Sequence, residues 1–185
     1  MRRILATTLL IALSVPAAAF ADEGGGSATL TLQGEVNAVC ALTPVSEGAN
    51  VFTIGGGSLI NTQTGQLATG LATDGAKTIT GSWCNAPSTI TLSATPLTTP
   101  FSGAVPANFT RAVNYTAAMT GWTTLNTATI ANNQGTPASA SNSANVGSPT
   151  ASDIVVDLNT FTAPGGARPV AGTYNATITV TLAVQ

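Results

Sequence analysis

The last fifteen residues, AGTYNATITVTLAVQ, alternate between apolar and polar side chains. One face carries Tyr174, Ala176, Ile178, Val180, Leu182 and Val184. A period of two predicts a β-strand, and the run contains no charge. Such a strand needs partners on its edges, because an unpaired edge is a template for aggregation. It is either the final core strand of a self-contained domain or an edge that pairs with another molecule.

Similar alternation recurs along the chain between clusters of Gly and Pro, and helical periodicity is scarce. The predicted inward faces are Phe52 and Ile54; Ile79 and Trp83; Ile90, Leu92 and Ala94; Val113, Tyr115 and Met119; and Ile154, Val156 and Leu158. About seven short strands without helices between them predict an all-β, antiparallel β-sandwich. Residues 132–149 have almost no large apolar side chain and are predicted to form a long mobile loop.

The N-terminus has the parts of a secretory signal peptide. Arg2 and Arg3 form its positive region, residues 4–15 form a short apolar run, and residues 19–21 (Ala-Phe-Ala) form a cleavage motif. The apolar run is too short for a membrane anchor. We therefore expect a Sec signal peptide at residues 1–21, export of the chain, and a flexible glycine-rich leader at residues 22–27.

Charged residues make up only 6% of the chain, and there is no His. After removal of the signal peptide, three basic residues (Lys77, Arg111 and Arg168) would face seven acidic ones. Without a basic patch, the chain lacks the electrostatic footprint of nucleic-acid or membrane-surface binding. Without His, the common catalytic triads are excluded. We expect no enzyme activity, no metal and no cofactor.

Three other features are candidate catalytic or sugar-binding residues, and each gives only weak support for such a site. Asp153 and Asp157 share one side of a predicted strand, opposite its apolar face, so a solvent-facing pair is favoured over a glycosidase pair. Trp83, beside Cys84, is interpreted as a core residue. Trp122 is the better candidate for an exposed ring that stacks on a sugar, although a core position is favoured for it as well.

Cys40 and Cys84 are the two cysteines of the chain. In an oxidising compartment, one intramolecular disulfide is the favoured interpretation, with two free thiols or an intermolecular bridge as alternatives. A disulfide that closes a loop of this length contributes roughly 4 kcal/mol in the chain-entropy model.

A second alternating segment, SATLTLQGEVNAVC, precedes Cys40 and follows the flexible leader. Its apolar face is Leu30, Leu32 and Val36, with Gly34 in the same register. The segment is able to detach and add as a strand to another molecule, where Gly34 would meet a constricted pocket. The alternative is an ordinary first strand whose Gly34 marks a bulge.

These features together resemble the chaperone–usher pilin superfamily, including its spore-coat-protein-U-like branch. The resemblance lies in Gly34 to Cys40 (GEVNAVC), in Cys84, and in the C-terminal run. That run has Gly172 at the fourteenth position from the end, and Ile178, Val180 and Leu182 at the eighth, sixth and fourth, as in the family. The penultimate residue, usually aromatic in the family, is Val184 here.

The resemblance implies an incomplete immunoglobulin-like antiparallel β-sandwich (residues 37–185) that follows an N-terminal extension (residues 22–36). Leu30, Leu32, Gly34 and Val36 would form the donor strand. The acceptor edge and chaperone-docking site would consist of Gly172, Tyr174, Ile178, Val180, Leu182 and Val184. A periplasmic chaperone, an outer-membrane usher and neighbouring copies or related pilus subunits would be the partners. The chain would pass through the periplasm and end in a cell-surface fibre.

The main alternative is a secreted adhesin-like module on the same sandwich that binds a sugar, a surface or a host receptor. A third class, ice- or surface-binding proteins, uses rows of Thr-x-Thr. Such rows occur at residues 78–80, 89–91 and 177–181, but their spacing is irregular, whereas a solenoid needs a constant period. A secreted hydrolase ranks below these.

Overall fold

The computed structural model describes residues 29–44, 50–138 and 140–185. Contacts divide the chain into two units, Met1–Glu35 and Val36–Gln185, and every strand in the described ranges belongs to the second. The predicted signal peptide and leader lie outside the described residues. In the described part of the chain, no helix is long and apolar enough to cross a bilayer.

The described residues form β-strands and two short 3-10 turns, Gly55–Gly57 and Pro164–Gly166, without any α-helix. The all-β prediction is therefore confirmed. The strands are β1 (Cys40–Ala41), β2 (Lys77–Cys84), β3 (Ser88–Ala94), β4 (Leu97–Thr98), β5 (Phe109–Thr110), β6 (Ala112–Thr120), β7 (Leu125–Ala128), β8 (Ile130–Ala131), β9 (Pro137–Ala138), β10 (Ala140–Val146), β11 (Thr150–Thr162), β12 (Arg168–Pro169) and β13 (Ile178–Val184).

Two antiparallel sheets share one hydrophobic core and form a curled half-barrel. The larger sheet has the order β1-β2-β11-β6-β4, with β7 also paired to β6. The smaller sheet has the order β10-β3-β13. Two short pairs, parallel β5–β12 and antiparallel β8–β9, lie apart from these sheets.

The central strands β3, β6 and β11 supply most of the core. Their inward residues are the ones that alternation predicts: Ile90, Leu92 and Ala94; Val113, Tyr115 and Met119; Ile154, Val156 and Leu158. The core is bounded on the smaller sheet by β13, which pairs with β3 from Ile178 opposite Ala94 to Val184 opposite Ser88. The predicted C-terminal strand is thus confirmed.

The predicted loop over residues 132–149 is wrong, because β9 and β10 form strands within it. Side-chain bonds join β10 to the outer face of β3: Asn145 to Thr89 (2.9 Å), Ser143 to Thr91 (2.8 Å) and Ser141 to Ser93 (3.1 Å). These cross-strand polar pairs stabilise the pairing of β10 with β3, although β10 has few large apolar side chains.

The predicted shared face of Ile79 and Trp83 is also wrong. Gly81 lies between them with φ +68°, and the pairing of β2 with β11 shifts register there. This β-bulge inserts one residue and reverses the alternation, so that Ile79 points inward while Trp83 points outward and is 41% exposed. The backbone N–H of Gly81 donates to Oδ1 of Asp153 at 2.8 Å, which holds the bulge. Trp122 is buried, as its core interpretation predicts.

Gly81→Ala tests this bulge. We expect the variant to lose about 1–2 kcal/mol of unfolding free energy, because an L-residue pays that amount in the left-handed region, although its Cβ would have room beside Thr43. The measurement is urea unfolding followed by circular dichroism, with the outward-facing Thr80→Ala as the matched control. Equal stability of the two variants would contradict the bulge.

The N-terminal alternation forms no strand within residues 29–39, the described part of the segment before Cys40. An alternating segment gains a ladder and a buried face only against a partner. The interpretation as an ordinary first strand with a bulge at Gly34 is therefore wrong for this chain. Phe52 and Ile54, predicted as a short strand, make only an isolated bridge, from Ile54 to Thr73.

Candidate functional site

A groove of about 440 Å³ opens between the two sheets. Ile178 and Val180 of β13 line one wall, and Lys77 and Ile79 of β2 line the other. β13 is the last strand of its sheet in the described structure. β1 pairs with β2 only at the C-terminal end of β2, at Trp83 and Cys84. Among residues 29–44, 50–138 and 140–185, the groove thus lies where each sheet presents an edge without a neighbouring strand.

The apolar side chains at these two edges are less buried than those on the neighbouring inner strands. Ile90 and Leu92 of β3 are fully buried, whereas Val180 and Leu182, which pair with Leu92 and Ile90 on the next strand, are only half-buried. The same contrast separates Ile79 of β2 from the fully buried Ile154, its partner on β11. The core is therefore incompletely covered along β13 and β2.

The floor of the groove includes Tyr115, Val156 and Leu158 from the larger sheet. The hydroxyl of Tyr115 donates to the carbonyl of Thr95 at 2.8 Å. Burial raises the pKa of Tyr115 to about 12. The floor is thus apolar, and the phenol is protonated at any physiological pH.

The rim is closed on one side by residues 50–54. Phe52 and Ile54 point into the groove and pack against the core. The Lys77 ammonium lies 5.5 Å from the centre of the Phe52 ring and 3.0 Å from Oδ2 of Asp74. The hydrogen bond from Lys77 is the largest cause of a lowered pKa at Asp74.

Gly172 lies in a second, adjoining pocket of about 750 Å³, which shares Tyr174 with the groove. Its φ is +152°, and a Cβ there would collide with Oγ1 of Thr99. The hydroxyl of Tyr174 donates to the carbonyl of Val170 at 2.9 Å, and burial raises its pKa to about 12. Gly172 therefore permits the close approach by which the chain enters β13.

The C-terminal residues selected from the sequence are only partly brought together. Tyr174, Ile178 and Val180 line the groove. Leu182 packs against the core on the same face of β13, and Val184 is exposed at the end of the strand. Cys40 and Cys84 form the predicted disulfide, which joins β1 to β2.

The selected N-terminal residues expose their apolar face. Leu30, Leu32 and Val36 are 96%, 98% and 86% exposed. No described atom lies within 4 Å of a Cβ built at Gly34. Large apolar side chains at such exposure are typical of an interaction surface.

Several residues that line the groove were not predicted from the sequence as part of a site. Phe52 and Ile54 were predicted only as a short strand, and Lys77 was noted only for its charge. Their placement depends on long-range contacts of residues 50–76, such as the bridge from Ile54 to Thr73. The one sequence signal for this side of the groove was the apolar pair Phe52 and Ile54 just before three glycines, residues 55–57.

Neither Asp153 nor Asp157 lines the groove. Asp153 and Asp157 are exposed, and their carboxylates accept hydrogen bonds from Gly81 N–H and from the Thr73 hydroxyl at 3.4 Å. Among the described residues, no group of three His, Cys, Asp or Glu side chains is placed to hold a metal ion.

Comparisons of the chain with protein-family models, with curated proteins and with solved structures find no match.

Proposed function

We propose that this protein is a structural subunit of a pilus or surface fibre, assembled by donor-strand exchange through a chaperone–usher pathway. The observation that carries the proposal is the uncovered groove between β13 and β2 in a chain that also exposes Leu30, Leu32 and Val36. On this proposal, the fold is an incomplete immunoglobulin-like sandwich, and the missing strand comes from another subunit.

The dimensions of donor and acceptor agree. The donor face from Leu30 to Val36 is seven residues long, as is β13 from Ile178 to Val184. In a strand, each spans roughly 23 Å. Insertion beside β13 would extend its ladder, which is strand addition at a sheet edge.

The gain in free energy comes mainly from burial. Leu30, Leu32 and Val36 would each contribute about 1.5–3 kcal/mol on complete burial. Ile178, Val180 and Ile79 would lose their remaining exposure at the same time. The donor face and β13 carry no charge. Lys77 on the β2 wall is already paired with Asp74 at 3.0 Å, so insertion does not bury an unpaired ion.

An open acceptor edge also explains the need for a chaperone. β13 is apolar on one face, rich in β-branched residues and, in the part of the chain that the structure describes, unpaired on one side, which makes it prone to edge-to-edge aggregation. A periplasmic chaperone would cover this edge until an outer-membrane usher exchanges it for the donor of the next subunit. Such a role requires neither a catalytic group nor a cofactor.

Gly34→Leu tests the proposal. The substitution has room in the monomer, because no described atom lies near its Cβ. We expect the variant monomer to keep its stability but to lose assembly into heat-resistant oligomers, because a leucine would fill the narrow pocket that the family places opposite this glycine. The measurement is gel electrophoresis without boiling, combined with size-exclusion chromatography.

Gln33→Leu is the matched control, because it adds the same side chain to the opposite face of the donor. It should assemble normally. Unimpaired assembly of Gly34→Leu would contradict the proposed role of Gly34.

A further inference from the structure

An exposed apolar patch lies on the outer face of the larger sheet, at the end where β1 pairs with β2. Trp83 is 41% exposed and lies in register between Ala41 on β1 and Ala151 on β11. Val39, one residue before β1, is 44% exposed. The two alanines leave the indole ring accessible, and we call Val39, Ala41, Trp83 and Ala151 the Trp83 patch. The bulge at Gly81 creates this patch, because it turns Trp83 away from the core.

The N-terminal segment leaves the domain beside this patch. The side chain of Asn85, two residues after Trp83, accepts a hydrogen bond from Val39 N–H (2.7 Å) and donates one to the carbonyl of Asn37 (2.8 Å). The backbone N–H of Asn85 also donates to the carbonyl of Val39 at 3.1 Å. The chain is therefore held to the end of β2 as far back as Asn37, rather than only to Cys40.

This attachment limits where an acceptor subunit can lie. Val36, the last residue of the donor face, is separated by one peptide bond from the residue that Asn85 holds. Consecutive Cα atoms are about 3.8 Å apart, and Asn85 lies roughly 7 Å along the strand from Trp83. A molecule whose groove contains Val36 must therefore reach the neighbourhood of Trp83.

We propose that the Trp83 patch packs against the copy of this protein whose groove receives the N-terminal segment. The inference rests on the proposed donor-strand exchange and adds a second contact between the same two subunits. Strand insertion supplies the strength of the joint, and the patch fixes the orientation of one subunit on the next. The patch is uncharged and contains an aromatic anchor, as the centre of a protein interface does.

The test uses the fluorescence of Trp83 in the full mature chain with Trp122→Phe, which leaves Trp83 as the only tryptophan. The reference monomer carries Leu30→Asp and Leu32→Asp in addition. We expect acrylamide to quench Trp83 about threefold less in oligomers than in the monomer, because an interface core excludes solvent. Oligomers in which Trp83 is quenched as in the monomer would overturn the patch contact and leave strand exchange intact. Absence of oligomers from a folded chain would overturn the proposed function, and the patch contact with it.

A second variant keeps the test independent of Trp122. Trp83→Thr in the natural background should still form heat-resistant oligomers, but electron micrographs should show fibres that bend more sharply than wild type. Ile130→Thr is the matched control, because Ile130 is an apolar residue on β8 with 64% exposure. Equal stiffness of the Trp83→Thr and wild-type fibres would overturn the inference. Protection of Trp83 in the monomer by a neutral oligosaccharide would also overturn it, in favour of a sugar-stacking platform.

Discussion

Leu30→Asp combined with Leu32→Asp should abolish heat-resistant oligomers and leave a folded monomer. Both leucines are almost fully exposed in the isolated chain, so their replacement removes no internal contact. In an assembled fibre, replacement of each leucine would remove about 1.5–3 kcal/mol of favourable free energy of burial. Together, these losses weaken association at least about a hundredfold before the cost of burying two carboxylates is added. The measurement is the oligomer distribution by size-exclusion chromatography with light scattering.

Thr31→Asp combined with Gln33→Asp is the matched control. It introduces the same charge one residue away, on the opposite face of the strand. We expect this control to assemble like wild type. If both double variants assembled, or if both failed, the assignment of the donor face would be wrong.

Removal of the disulfide should have the second-largest effect. Cys40 and Cys84 are 44 residues apart, and a loop of that length corresponds to roughly 4 kcal/mol in the chain-entropy model. β1 is only two residues long, and the base of the N-terminal segment is otherwise held by the hydrogen bonds of Asn85 with Asn37 and Val39. We expect Cys40→Ala with Cys84→Ala to lower the unfolding free energy by about this amount, measured by urea unfolding of the monomeric Leu30→Asp, Leu32→Asp protein.

Chemical reduction supplies the control for that experiment. Dithiothreitol should bring the cysteine-containing protein to the stability of the double alanine variant and should leave the variant unchanged. Coincident unfolding curves with and without the bond would show that the disulfide does not restrict the unfolded chain.

Large apolar side chains at alternate positions made the core strands predictable. Ile154, Val156 and Leu158 on β11, and the run from Ile178 to Val184 on β13, lie on the predicted faces because both strands keep a strict period of two there. β10 was missed because its inward residues include only small ones, such as Ala140 and Ala144, until Val146. Its stability depends on hydroxyl pairs with β3, which are visible only once the strands are aligned.

The direction of Trp83 could not be predicted because one inserted residue reverses every side chain beyond it. Gly81 was visible in the sequence, but the hydrogen bond to Asp153 that fixes the bulge spans 72 residues. The groove was predicted only at its β13 wall, where the C-terminal alternation runs. Its opposite wall and its rim arise from the ends of strands and from residues 50–54, whose positions are set by long-range contacts.

Hydrogen–deuterium exchange of β13 tests the central claim most directly. β13 and β10 are the two edge strands of the same sheet, but only β13 borders the groove. The comparison is between wild-type oligomers and the monomeric Leu30→Asp, Leu32→Asp protein. Donor-strand insertion predicts that exchange over Ile178–Val184 slows at least about tenfold in the oligomer, as its free edge becomes hydrogen-bonded, while Ala140–Val146 remains unchanged. Unchanged exchange in β13, or equal protection of β10, would contradict the account.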